Sequence, residues 1–200
     1  VLYVSDDTGW GHIYRKDLAG GKVAQLTTGE FEHGTPAWSH GMRTFAQTPS
    51  GTVLGVRQRA GYGTLVAISP SGEATDLGQL HPGYTALSTP AAAPTGEKVA
   101  LLVAGGKQPG RVVVFDLAGK PPAHAIIRRS DTETVPASAL STPEPVSWKS
   151  FDGEHAHGLY YPPASEGFEG IGAPPLIVII HGGPTSQVVA GWAAQAQYFA

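Results

Sequence analysis

The sequence contains no cysteine at all among its 200 residues. That excludes a disulfide framework and a thiolate zinc site, and it fits a reducing compartment, so the expected location is the cytoplasm. Charged side chains are also scarce, at 14% of the chain. The 13 lysines and arginines are scattered, with no basic stripe of the kind a phosphate backbone requires, which removes nucleic acid from the expected partners. Long hydrophobic runs are missing too. The longest strongly apolar stretch, Leu176 to Ile180, is far shorter than the roughly 20 residues of a membrane-crossing helix, and no membrane partner is expected. Neither an initiator Met nor a signal-peptide layout opens the chain, and Gln195 to Ala200 reads as the middle of a helix. Both ends are therefore expected to be cuts in a longer protein. What the sequence does have is 27 glycines and 17 prolines between β-branched and aromatic runs, a pattern of many short strands joined by tight turns.

Those runs repeat. Gly11-His-Ile-Tyr-Arg-Lys-Asp-Leu-Ala-Gly-Gly-Lys22 is echoed by a strand-and-turn segment starting at Gly63 and by another starting at Gly110, at spacings of 52 and 47 residues. A second echo is read between Pro36-Ala-Trp-Ser-His-Gly41 and Pro90-Ala-Ala-Ala-Pro-Thr-Gly96, each leading into a strand at Thr44–Gln47 and Lys98–Val103. A period near 50 with four short strands per unit is that of a β-propeller blade, which buries both its faces only against neighbours. Residues 1–130 are accordingly expected to form a partial propeller of about two and a half blades. By this reading 1–28 are the outer strands of one blade, 36–87 a whole blade and 90–130 most of a third. A β-sandwich is the alternative architecture.

After Arg129 the periodicity stops, and residues 131–143 read as a linker. Two strand-like runs follow, Pro145 to Phe151 and Glu154 to Pro162, joined at Asp152-Gly153, a hairpin signal. Pro174-Pro175 then leads into Leu176-Ile-Val-Ile-Ile180, a pattern expected of a strand buried on both faces. Residues 144–200 resemble the N-terminal part of an α/β-hydrolase catalytic domain.

His181-Gly182-Gly183-Pro184 closes that run and carries the most chemical information in the chain. In α/β-hydrolases the loop after an early central strand supplies a backbone N–H to the oxyanion hole, and glycine lets the backbone approach a reacting carbonyl without a Cβ in the way. Such a donor is worth on the order of 3 kcal/mol to the transition state. Gly183 is the candidate donor and Gly182 its turn partner, while His181 and Pro184 shape the loop. A plain turn after a strand uses the same residues.

With Glu144-Pro-Val-Ser-Trp-Lys-Ser-Phe-Asp-Gly153, Gly158-Leu-Tyr-Tyr-Pro162 and Pro175 to Pro184 in view, the chain resembles the first part of the catalytic domain in prolyl oligopeptidase family serine peptidases. The acylaminoacyl-peptidase and dipeptidyl-peptidase branches are the nearest likeness. Trp192 and Gln197-Tyr198-Phe199-Ala200 are similar to that family's first helix, and a Trp-Ser turn at Trp38 agrees with its blades. The resemblance implies a Ser-Asp-His triad acting on short peptides, with the propeller as a size filter. It implies no organic cofactor and no metal, and allows a homo-oligomer. No Gly-x-Ser-x-Gly nucleophile elbow occurs here, since Ser50-Gly51 and Ser71-Gly72 follow prolines in propeller turns. The triad is therefore expected beyond Ala200, and the 200-residue piece alone is expected to be inactive. A carboxylesterase-like hydrolase and a non-enzymatic propeller binding module are the competing readings.

Other residues receive structural readings. His155 and His157 share a strand face but lack a third metal ligand. His12, His33, His40, His81 and His124 are expected in solvated turns, Trp10, Trp38 and Trp148 in the core or between blades, and Asp6 and Asp7 in a turn. By the resemblance, Glu30 and Glu32 are candidates to line a propeller opening and hold a substrate's amino group.

Overall fold

The computed structural model describes the whole chain apart from Pro36, Ala37, Lys120, Pro121, Glu166, Glu169, Pro184 and Thr185. The repeated runs form three successive antiparallel sheets. The first contains β1 (Leu2–Ser5), β2 (His12–Lys16) and β3 (Val23–Gln25) in that order. The second is a four-stranded meander of β4 (Phe45–Gln47), β5 (Val53–Arg59), β6 (Tyr62–Ile68) and β7 (Ala74–Asp76). In the third, β8 (Ala86–Leu87) and β9 (Ala91–Ala92) pair along one edge of β10 (Lys98–Gly105), which continues to β11 (Gln108–Asp116) and β12 (Ala123–Arg129).

Two details of the repeat differ from the sequence reading. Residues 86–87 pair with β10 and so belong to the third sheet, not to a blade ending at 87. The second echo is also displaced. Phe45–Gln47 runs through Thr48-Pro49-Ser50-Gly51 into β5, and Ala91–Ala92 runs through Ala93-Pro94-Thr95-Gly96 into β10. The equivalent prolines are therefore Pro49 and Pro94, and Pro36 lies outside the described residues. Each turn closes on a glycine with left-handed φ, +91° at Gly51 and +71° at Gly96, a conformation that favours glycine.

The core lies between sheets. Ile13, Leu26, Val53, Val66 and Ile68 join the first two, while Leu54, Val56, Leu65, Val99, Leu101, Val113 and Phe115 join the second and third. Adjacent residues of β5 and β6 thus point into different cores, which is why these strands are apolar on both faces. At Gly55 a Cβ would lie 2.9 Å from Ile13 Cδ1, so glycine sets how closely the first two sheets approach.

The aromatic and histidine expectations need correction. Trp10, Trp38 and Trp148 are 37%, 63% and 52% exposed, because they sit on a hairpin loop, an inter-strand loop and a strand of a two-stranded sheet exposed along its length. His12, His33 and His81 are buried, not solvated. His81 accepts from Leu65 N at 3.3 Å, while its Nδ1 lies 3.1 Å from the Tyr84 carbonyl and its ring meets Phe115 edge-on. His12 lies on β2 with Nδ1 3.2 Å from the Thr27 hydroxyl. His33 packs between His12 and Phe31, and its Nδ1 is buried without a hydrogen-bond partner. Burial, followed by the charges of His12 and Arg57, lowers the His33 pKa to about 4, against an opposing hydrogen bond with the Phe31 backbone. An unfolded chain takes up this proton near 6.5, so the neutral ring contributes fully above that pH. Its contribution falls as the pH drops from about 6.5 toward 4, where it is lost. Unfolding free energies from urea titrations across that window should decline more steeply for the native protein than for His33→Leu, by the uptake of about one proton.

Beyond the third sheet, Glu133 adopts φ +57° and is held by two arginines: Arg111 donates to both its carboxylate oxygens and Arg129 to one. Strands β13 (Glu144–Lys149) and β14 (His155–Tyr160) then form a hairpin whose turn is closed by Gly153 N to Ser150 O at 3.1 Å, with Gly153 at φ +91°. Leu176–Ile180 is not the expected buried strand. It pairs with no strand among the described residues and is 53–87% exposed. Burying both faces requires a strand on either side, and the β13–β14 hairpin, although each of its strands keeps a free edge, does not pair with this run. Helix α1 (Ala194–Phe199) ends the chain, where the sequence places it.

Candidate functional site

Of the four loop residues singled out by sequence, three are described. His181, Gly182 and Gly183 are exposed at the end of the apolar run. Gly183 has φ +78°, and its carbonyl accepts from Ser186 N at 3.1 Å, so the chain turns back at a position where an L side chain is strained. Among the described residues nothing lies within 4 Å of a Cβ built on Gly182, and one on Gly183 would meet Ser186 Cβ alone. His181 Nδ1 lies 3.3 Å from the adjacent Gly182 carbonyl. Pro184 lies outside the described residues.

The segment leaving this loop is fixed to the blades. Ala190 is fully buried and its N–H donates to Gly61 O at 2.8 Å, while its carbonyl accepts from the Thr85 hydroxyl. Gly61 belongs to the two-residue turn joining β5 and β6, where Ala60 (φ 51°) and Gly61 (φ 83°) are both left-handed, as a tight hairpin of this kind requires. Two phenols complete the contact: Tyr62 donates to the Pro143 carbonyl and Tyr161 to Gly191 O at 3.4 Å. Burial raises both phenol pKa values, with Glu144 adding to the effect at Tyr62 and Tyr62 at Tyr161, so both remain protonated donors.

The remaining candidates are placed apart from this loop. Ser50 and Ser71 are turn residues, with Ser50 Oγ donating to Glu97 at 2.9 Å and Ser71 Oγ 2.7 Å from Ser69 Oγ. Glu32 accepts from Gly11 N at 2.9 Å and so serves a backbone anchor, while Glu30 is exposed. His155 and His157 stack at 6.5 Å, and among the described residues no group of three metal-ligating side chains exists. Sequence reasoning missed Thr85 and Ala190, and placed Gln197 on a helix without its contacts. Only the glycine of the 60–61 turn carried a readable signal.

No protein-family model matches the chain, and no curated protein matches it. Solved structures do. The crystal structure of a puromycin hydrolase is 30% identical with a TM-score of 0.83, matched over 99% of this chain and 29% of its own. A puromycin-hydrolyzing peptidase from Mycobacterium tuberculosis superposes with a TM-score of 0.83 at 24% identity, over 99% of this chain and 30% of that one. Prolyl oligopeptidase B from Galerina marginata, at 15% identity, shares the fold over 74% of this chain and 19% of its own, with a TM-score of 0.57. The chain therefore spans about 30% of the length of these two puromycin-hydrolysing structures. In fold, and over nearly all of its length, the chain is similar to the propeller blades and the start of the α/β-hydrolase domain in peptidases of the prolyl oligopeptidase family.

Proposed function

We propose that this chain is part of a serine peptidase that hydrolyses short peptides and small aminoacyl amides, puromycin among them, with Gly183 as an oxyanion donor. The observation that carries the reading is the left-handed Gly183 in an exposed Gly-Gly loop whose exit is seated on the propeller at Ala190. The 30% identity to a puromycin hydrolase supplies the substrate class.

In the reaction, a serine hydroxyl outside these 200 residues attacks the amide carbonyl while a histidine accepts its proton. Negative charge moves onto the carbonyl oxygen, and the Gly183 N–H donates to it. The C–N bond then breaks, the histidine returns the proton to the leaving amine, and water releases the acyl group from the serine. The propeller restricts access to small or unfolded substrates. Whether an acylated or a free N-terminus is preferred depends on pockets outside these residues.

The test is to treat the full-length protein with a fluorophosphonate and locate the modified residue by mass spectrometry, with puromycin hydrolysis measured in parallel. Labelling of a serine within Gly-x-Ser-x-Gly, together with loss of hydrolysis, is expected. A folded full-length protein that neither labels nor hydrolyses puromycin would overturn the proposal and favour a binding module.

A further inference from the structure

Gln197 makes an unusual set of contacts for a side chain on a short helix. Its Nε2 donates to Gly106 O at 2.7 Å and to Ser141 O at 2.8 Å, and its Oε1 accepts from Ser141 N at 2.8 Å. Both amide hydrogens are used, on two different elements. Gly106 lies in the turn joining β10 and β11, and Ser141 in the segment between the third sheet and β13. Ser141 is itself buried, and its hydroxyl donates to Pro162 O at 2.6 Å.

The surroundings leave no slack. A Cβ on Gly106 would overlap Pro143 Cδ, so the turn and the connecting segment are in direct contact, and the Pro143 carbonyl is held by Tyr62 from the neighbouring blade. Seven residues before Gln197, Ala190 is bonded to Gly61 and Thr85. The chain after the glycine loop is thus tied to two blades at two points, Ala190 and Gln197.

We infer that Gln197 is a positioning residue: its amide locks helix α1 to the propeller and thereby fixes where the loop bearing Gly183 stands relative to the blades. This inference rests on the oxyanion reading of that loop. Only a side chain carrying both a two-hydrogen donor and an acceptor satisfies the three backbone groups. Glutamate has the same shape, but its carboxylate would face the Gly106 and Ser141 carbonyls with no hydrogen to give, whereas its protonated form regains one donor.

The experiment uses the full-length protein and its Gln197→Leu and Gln197→Glu variants. Steady-state puromycin hydrolysis is normalised to fluorophosphonate-titrated sites, and amide exchange is followed on peptides covering 137–142. For Gln197→Leu, a fall in kcat of about tenfold with KM within about twofold is expected, the behaviour of a displaced transition-state donor. Exchange at Ser141 should accelerate about tenfold as its acceptor is lost. For Gln197→Glu, activity relative to the native protein should recover as the pH is lowered and the carboxyl takes up its proton, a profile that general destabilisation would not produce. Faster exchange with unchanged kcat and no pH-dependent recovery would reduce Gln197 to a structural tie and overturn the inference. Unchanged exchange and unchanged kcat would remove the lock altogether. Should the native protein neither label nor hydrolyse puromycin, the proposed function fails and the positioning role with it, while the exchange data still report whether the tie exists.

Discussion

Replacing Gly183 by proline in the full-length protein is expected to lower kcat by about 10²–10³-fold while KM changes little, the loss seen when one oxyanion donor is removed. Two effects coincide at this position. Proline has no N–H, and its ring fixes φ near −65°, whereas Gly183 stands at +78°. Alanine separates the two: Gly183→Ala keeps the N–H but must strain to reach the left-handed region, so an intermediate loss is expected. Among the described residues a Cβ on Gly183 would meet Ser186 and no residue of the blades, so neither variant should disturb the blades. Thermal unfolding of the propeller should accordingly remain at the native temperature. If Gly183→Pro retained native kcat, the donor would have to be sought elsewhere. Gly182→Ala offers the internal contrast. Space around Gly182 is open and its φ is not left-handed, so its loss should be smaller.

The parts of the fold that were legible in the sequence are those governed by local pattern. The strands β2, β6 and β11 follow from β-branched and aromatic runs ended by glycine turns, and the β13–β14 hairpin from Asp152-Gly153. The turn after Ile180 was legible from Gly182-Gly183, since turns favour glycine and Gly183 stands at a left-handed φ. What could not be read was fixed by contacts distant along the chain. Leu176 to Ile180 has the composition of a buried strand, but burial depends on neighbours that composition does not encode. His81 looks like a turn residue until its ring is seen bonding Leu65 and Tyr84. Gln197 bonds groups 56 and 91 residues away, and nothing in its own helix announces either partner. The register of the repeat failed for a related reason: Pro36 to Gly41 and Pro49 to Gly51 both place a proline and a glycine ahead of a strand, and only pairing shows which one leads into β5.

Phe115→Ala should cost about 3–5 kcal/mol of stability, the largest effect expected of a single core substitution here. Phe115 is fully buried on β11 within the cluster that joins the second and third sheets, alongside Leu54, Leu65, Val99 and Val113. Its ring meets His81 edge-on at 6.2 Å and His124 at 5.7 Å. Truncation removes apolar surface and opens a cavity that the sheets cannot close, because each is held in register by its own ladder. Urea unfolding should show a lower midpoint with unchanged slope, which marks a change in stability alone. Leu18→Ala is the control. Leu18 is 75% exposed in the β2–β3 turn, and its loss should stay within about 0.5 kcal/mol. Equal shifts for the two variants would mean that this cluster does not hold the blades together. The consequence extends to the site, since the turns presenting Gly61 and Gly106 belong to the two sheets that Phe115 joins. Loosening that core should therefore release Ala190 and Gln197, and exchange at their backbone amides should quicken before the blades themselves unfold.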